Sequence, residues 1–214
     1  MIENYIKIEN GHWFQENLTG KMPDYSATYS KERYDTYSTN DSMSKLRYDL
    51  ICKYVGHFDN ICDYGYGNGA FMRYCSQKDK NVYGYDISDY PVPQKTNRLN
   101  SLYELYQSSF DVVTFFDSIE HIPKMDLTYD LQALPTKFVC ISIPWFHESL
   151  GPEWFRTWKH RRENEHLHHF DVSGISKLLK HSNFKLVHLG NEEDEIRKSV
   201  DEMPNILTVI AKKI

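Results

Sequence analysis

From about residue 58 onward the chain alternates short apolar runs with amphipathic stretches. "NICDY" (60–64), "NVYGYDI" (81–87), "DVVTFFD" (111–117) and "KFVCISIPW" (137–145) are compact runs rich in Val, Ile, Tyr and Phe. Such runs, with little polar alternation, predict strands buried on both faces, as in a parallel sheet covered by helices. "AFMRYCSQK" (70–78) and "VSGISKLLKHSN" (172–183) predict helices between them, the second capped by Ser173. Upstream, "DSMSKLRYDLICKYVG" (41–56) predicts a helix with Asp41 or Ser42 as N-cap. Its apolar face would be Leu46, Leu50, Ile51 and Val55, and Gly56 would stop it. "FKLVHL" (184–189) and "NILTVIAKKI" (205–214) predict two closing strands. The acidic "GNEEDEIRKSVDEMP" (190–204) between them predicts a solvated loop or short helix. The pattern as a whole predicts an α/β fold, a doubly wound and mostly parallel sheet, preceded by a polar, weakly patterned stretch.

Composition narrows the function classes. At 214 residues the chain can bury one sizeable core without disulfide or metal support. Lys plus Arg (25) against Asp plus Glu (30) leaves a net charge of -5, which argues against a nucleic-acid backbone as partner. The start, "MIENYIKIEN", lacks a basic segment followed by an apolar one, and no run reaches the length of a membrane span. The expectation is a cytoplasmic protein with no membrane partner. Cys52, Cys62, Cys75 and Cys140 form no C-x-x-C pair and sit among apolar neighbours, so they read as core residues rather than as a disulfide framework or zinc site.

The chemistry concentrates first in "ICDYGYGNGAFMRYC" (61–75). Gly65, Gly67 and Gly69 fall between a strand and a helix, where a missing Cβ lets backbone turn tightly or lie against a ligand. Gly65, Gly67 and Ala70 also satisfy the dinucleotide pattern G-x-G-x-x-G/A, so the triplet alone leaves two ligand classes open. Three neighbours discriminate. Asp63 precedes the glycines by two residues and could receive an ammonium group. Asp86 ends the second strand, where a carboxylate can take both hydroxyls of a ribose. The third strong strand ends in "FFDSIEHIP", which does not suit a nicotinamide.

Taken in order, "ICDYGYGNG", "VYGYDIS" and "FDVVTFFDSIEHIP" resemble the class I S-adenosylmethionine-dependent methyltransferases, in particular the small-molecule branch that includes ubiquinone-biosynthesis O-methyltransferases. The resemblance covers about residues 43–214. It implies a Rossmann-like seven-stranded sheet with an antiparallel last strand, an N-terminal cap over residues 1–42, and S-adenosylmethionine as cofactor, with S-adenosylhomocysteine as product. Carried over by residue, Asp63, Gly65, Gly67 and Gly69 would hold the methionine moiety and Asp86 the ribose. Ile87 would pack on adenine, and Asp117 would lie near the methionine end. Between Asp86 and Phe110 the chain departs from the pattern. "SDYPVPQKTNRLNSLYELYQSS" carries two prolines that disfavour a regular helix, and it offers Asn100 or Ser101 in place of an acidic adenine contact. In "MPDYSATYSKERYD" (22–35), Arg33 would pair with the methionine carboxylate and Tyr29 or Tyr34 would close over it.

Methyl transfer needs an aligned nucleophile and, for a hydroxyl acceptor, a general base. His121 follows the strand tip directly and is the first candidate base, with Glu120 as an orienting partner. The stretch "WFHESLGPEWFRTWKHRRENEHLHHFD" (145–171) has the place of a substrate lid, at about residues 145–170. It mixes three Trp with Arg156, Lys159, His160, Arg161 and Arg162, a combination suited to an anionic or ring-bearing acceptor such as a sugar nucleotide, phosphorylated metabolite or aromatic acid. The alternative is a solvated helix with an amphipathic seam. His166 and His169 are secondary candidates for contacting the acceptor. Histidines spaced as in "HLHH" do not share one helical face and lack an H-E-x-x-H companion, so no metal is expected.

The sequence thus predicts a methyltransferase for a small anionic molecule, most readily at oxygen. Its rivals are a nucleic-acid methyltransferase, disfavoured by charge and by the absence of an N/D-P-P-Y/F motif after "VVTFF"; a non-catalytic methyltransferase-like domain serving a partner complex; and a nicotinamide-dependent oxidoreductase.

Overall fold

The computed structural model describes residues 2–25, 41–198 and 203–214. A hairpin of β1 (Tyr5–Glu9) and β2 (His12–Gln15) comes first, followed by α1 (Ser42–Val55). Then come β3 (Asn60–Tyr64), α2 (Ala70–Ser76), β4 (Asn81–Tyr85), β5 (Asn97–Leu99), α3 (Leu102–Gln107) and β6 (Phe110–Phe116). α4 (Thr128–Ala133), β7 (Thr136–Pro144), α5 (Gly151–Thr157), β8 (His168–Phe170), α6 (Val172–His181), β9 (Phe184–Gly190), α7 (Asp194–Arg197) and β10 (Ile206–Lys213) complete the order.

Seven strands form one sheet in the order β5-β4-β3-β6-β7-β10-β9. β5, β4, β3, β6 and β7 pair in parallel, and β10 inserts antiparallel between β7 and β9. The chain winds from β3 out to β4 and β5, then returns to β6 on the other side. This reversal opens a crevice at the carboxyl ends of β3 and β6, the place where doubly wound sheets bind ligands.

The strand period of two explains the double-sided burial. Along β6, Val112 and Phe116 face the layer of α1 and α2, where they join Leu50, Ile51, Phe71 and Met72. Val113 and Phe115 face the opposite layer, with Leu105, Leu131, Ile175 and Leu178. A third, smaller cluster joins Ile2 and Tyr5 to Phe146 and Phe155, with Trp13, Trp154 and Trp158 packed against it. It sits beside a second sheet of order β1-β2-β8, so the hairpin is clamped onto the segment that follows β7.

Several local expectations are corrected. The predicted face of α1 does meet the core, Leu50 and Ile51 buried and Leu46 and Val55 half-buried against the same cluster, but Ser44 and Arg47 are buried with it, which the apolar pattern does not show. Asp41 precedes α1 without a side-chain cap, because its carboxylate accepts instead from Arg73 Nη2 at 2.8 Å. The cap of α6 is Asp171, whose Oδ1 accepts from Gly174 N at 3.0 Å; Ser173 already lies within the helix. That cap also requires Gly11, whose φ is +81° and where a Cβ would stand 1.7 Å from Asp171 Oδ1. Cys62, Cys75 and Cys140 are buried, but Cys52 is exposed on the outer side of α1. Between Asp86 and β5 no helix forms, in keeping with the two prolines; a six-residue helix follows β5 instead, capped by Ser101, which accepts from Glu104 N. No helix among the described residues is long and apolar enough to cross a membrane.

Candidate active site

A cavity of about 530 Å³ opens at the crevice, within the ~300–1,000 Å³ of ordinary small-molecule sites. One end is made by the turn after β3. Gly65, Gly67 and Gly69 have φ of +79°, +55° and +70°, a region that side-chain-bearing residues adopt only with strain. At Gly65 a Cβ would come 2.4 Å from Ser118 Cβ, so glycine there lets two strand ends close together. Asp86 turns back from the end of β4 and accepts from Gly67 N (2.9 Å) and Ser88 N (2.7 Å), bracing the loop while it lines the cavity. Ile87 is 67% exposed at the cavity wall. An apolar side chain left so open beside a carboxylate is a fit for the flat apolar face of a nucleoside whose ribose the carboxylate takes. The proline-bearing loop that follows is pinned by Tyr66 of the turn and by Arg98 of β5. Tyr66 Oη donates to Tyr90 O at 2.6 Å, and Arg98 Nη2 donates to Ser88 O at 2.6 Å.

Three residues predicted for this end do not line the cavity. Asp63 is buried beneath the loop, where Thr114 Oγ1 donates to it at 2.7 Å; burial pushes its carboxyl up to about 6 against the pull of that hydrogen bond. Gly69 caps α2 and packs on Pro93, which a Cβ would meet at 2.6 Å. Asn100 is exposed and turned to Glu104 at the start of α3. The tip of β5 therefore offers no polar contact to the cavity through Asn100. Arg33, Tyr29 and Tyr34 lie outside the described residues.

At the floor, Asp117 follows β6 with φ +54° and accepts from Arg47 Nη2 (3.1 Å) and Arg197 Nη1 (2.6 Å). Burial would raise its carboxyl, but the Arg197 and Arg47 guanidiniums outweigh that and hold it well below the usual range. Arg47 also donates through Nε to the fully buried Glu193 at 2.6 Å, and Arg197 Nε lies 3.2 Å from the same carboxylate. Arg47, Asp117 and Arg197 all line the cavity. The sequence reading missed this network, and it corrects the view of residues 190–204 as merely solvated. Glu193 is buried because the guanidinium of Arg47, which lies over the Phe116 ring at 4.2 Å, comes in from α1 to meet it.

The other end is histidine-rich. His121, in the 3-10 turn Ile119–His121, and His166, just before β8, line the cavity with their rings 4.7 Å apart and perpendicular. His160 and Arg162 line it as well, the only two members of the basic cluster that do. Burial, then His121, keeps His166 neutral far below its ordinary range. The group that orients His121 is not Glu120. The Glu165 carbonyl lies 2.8 Å from its Nδ1, and Tyr25 Oη 3.2 Å, while Glu120 Oε1 is 3.9 Å from Nε2, beyond hydrogen-bonding reach. Glu120 itself does not line the cavity. It is buried behind His121, and burial, reinforced by Asp117, raises its carboxyl well above the usual range. His169 also fails to reach the cavity; its ring is packed among Tyr5, Phe155 and Trp158. The tryptophans of α5 and its C-terminal side face the same apolar cluster, so the aromatic content of 145–170 anchors the hairpin while its polar end, 160–166, faces the site.

The profile of the methyltransferase domain family matches residues 14–189, and the chain belongs to that family. Its fold and cavity define a class I S-adenosylmethionine-dependent methyltransferase. Among solved structures it is similar to the 1,6-didemethyltoxoflavin-N1-methyltransferase of Burkholderia thailandensis with bound 1,6-didemethyltoxoflavin and S-adenosylhomocysteine, at 13% identity and TM-score 0.61 over 98% of this chain and 99% of that one. It is also similar to an S-adenosylmethionine-dependent methyltransferase from Clostridium acetobutylicum, at 14% identity and TM-score 0.58 over 87% and 96%. The magnesium protoporphyrin IX methyltransferase of Synechocystis, with bound S-adenosylhomocysteine, aligns at 15% identity and TM-score 0.57 over 80% and 84%. Among curated proteins none matches the chain.

Proposed function

We propose that the enzyme transfers a methyl group to an oxygen of a small anionic molecule. The observation that carries this reading is the polarity of this cavity: a glycine turn with Asp86 and Ile87 at one end, and imidazoles with Arg162 at the other. When bound, S-adenosylmethionine supplies a methyl carbon on a positively charged sulfur, and the C–S electron pair stays with that sulfur. Asp86 would take the ribose hydroxyls and Ile87 would cover the adenine. Gly65 and Gly67 would let backbone approach the methionine part. Asp117, anchored by two arginines, would supply fixed negative charge near the cation.

At the far end, Arg162 would hold the anionic group of the acceptor, leaving its hydroxyl toward His121. As the oxygen–carbon bond forms, His121 would receive the hydroxyl proton, its ring held in place by the Glu165 carbonyl. His166, kept neutral by burial, would line the acceptor without repelling the methyl donor.

The test is a panel of hydroxylated carboxylates and phosphates incubated with protein and S-adenosylmethionine, read as S-adenosylhomocysteine released. The reading expects an anionic acceptor methylated at oxygen. His121→Gln should lower kcat at least about tenfold with little change in the KM for S-adenosylmethionine, and Arg162→Ala should raise the acceptor KM. Methylation at nitrogen, or preference for neutral acceptors, would overturn it.

A further inference from the structure

We propose that Glu120, His121 and His166 form a binding site for one divalent first-row transition cation, of the zinc, cobalt, manganese or ferrous type. One candidate ligand atom from each of the three lies within 4.8 Å of the others. Atoms that share an ion at about 2.1 Å stand roughly 3–3.5 Å apart, so side-chain rotations suffice to close the set.

The independent observation is Glu120. It is 1% exposed and neither carboxylate oxygen has a hydrogen-bond partner, although buried carboxylates are almost always paired, hydrogen-bonded or bound to metal. The histidines are set up in a matching way. His166 Nδ1 lies 2.9 Å from the His160 carbonyl, so Nδ1 carries the proton and Nε2 keeps the lone pair. His121 Nδ1 likewise meets the Glu165 carbonyl, and its Nε2 is the ring atom on the Glu120 side, 3.9 Å from Oε1. Backbone carbonyls that fix the far nitrogen of an imidazole are the usual outer support of metal-binding histidines. Two imidazoles with one carboxylate favour transition cations over magnesium or calcium, which prefer all-oxygen sets.

Glu120 and His121 come from the turn after β6, and His166 from the segment before β8, so no spacing rule in the sequence joins them. Three protein ligands leave a coordination position open, and the two histidines line the cavity, so that position faces the acceptor. There the cation would bind the acceptor oxygen and ease release of its proton to water; with the cation bound, His121 Nε2 is a ligand, and this proton route replaces the one through His121. The oxygen–carbon bond then forms and the C–S bond breaks with its electron pair on sulfur, with no change in the oxidation state of the cation. This role rests on the oxygen-acceptor reading above; the site itself does not.

The experiment titrates the metal-stripped full-length protein with Zn2+ by calorimetry and with Co2+ by visible absorption, for the wild type, Glu120→Gln and His166→Ala. The expected result is one equivalent of cation with cobalt d–d bands, bound at least about tenfold more weakly by each variant. Affinity for S-adenosylhomocysteine, which certifies the fold, should be retained. Apo Glu120→Gln should be no less stable than wild type, since it removes an unpaired buried carboxylate; a purely structural Glu120 predicts the opposite. If Glu120→Gln does not fold, His166→Ala carries the test. No cation bound by the wild type, or binding undiminished in the folded variants, overturns the proposal. Loss of S-adenosylhomocysteine binding in wild type, with the cation still bound, would instead contradict the methyltransferase reading.

Discussion

The two ends of the cavity are built by different means. At the glycine end, the groups that line it lie close together along the chain, between Tyr64 and Ile87, and they act largely through backbone shape: positive φ at Gly65 and Gly67, and amides turned toward Asp86. At the floor and the histidine end, Tyr25, Arg47, Asp117 with His121, His166 and Arg197 converge from five separate places, and charge decides which arrangement holds. Two guanidiniums face two carboxylates, Asp117 and Glu193, and balance them. Glu120 stands outside that balance, and its carboxyl is driven toward the neutral form. A backbone-built end fails when a side chain is added, whereas a charge-built end fails when one partner is taken away.

The largest effect expected from that difference is at Arg47. Replacing it by Ala leaves a fully buried Glu193 with Arg197 Nε, at 3.2 Å, as its remaining guanidinium partner and takes one of two guanidiniums from Asp117, and should lower stability by about 3–5 kcal/mol in urea denaturation. A loss under about 1 kcal/mol would show that the network does not hold the floor. Gly65→Ala tests the other end. With a φ of +79° and a Cβ directed at Ser118, it should cost about 2–3 kcal/mol.

A smaller effect sharpens how the hairpin docks. His12 Nε2 lies 2.9 Å from His168 Nδ1, and His168 Nε2 faces the Ile122 and Lys124 carbonyls, so His168 donates to them and accepts from His12. Burial, then His168, lowers His12 to about 3. Because the folded value lies below the unfolded one, the unfolded chain binds the proton first as pH falls. Stability is therefore full above about 6.5 and declines below it, and the contribution of His12 amounts to about 2 kcal/mol by pH 5. Wild type should lose that much more than His12→Phe between pH 7 and pH 5 in parallel urea titrations; equal losses would remove His12 from the account. The smallest effect is at Asn100, where Ala should change affinity for S-adenosylmethionine by less than about twofold in calorimetry, since the side chain is turned to Glu104. A larger loss would bring the tip of β5 back into the site.

The same contrast explains what was legible in the sequence. The parallel strands and the crevice follow from apolar runs and the order of strands and helices, which are properties of neighbouring residues, whereas the antiparallel insertion of β10 was implied by the family resemblance alone. Gly65, Gly67, Asp86, Ile87 and Asp117 stand at strand ends, so their arrival at one cavity follows from the fold. Asp63 stands at a strand end too, yet it faces beneath the turn, a distinction of side-chain direction that spacing does not carry. Arg197 and Glu193 were hidden in an acidic run that reads as solvated until Arg47, 146 positions from Glu193, is placed beside it. An arginine within the apolar half of α1 was the one available signal. His169 and the tryptophans were drawn toward the site by their chemistry, but the hairpin, whose residues are weakly patterned, covers them.

The most direct test of the account is calorimetric titration of wild type and Asp86→Ala with S-adenosylmethionine and S-adenosylhomocysteine. The account predicts binding of both by the wild type and affinity at least about 100-fold weaker in the variant, because the turn loses its brace and the ribose its acceptor. Equal affinity in the two proteins, or no binding by well-folded wild type, would contradict it.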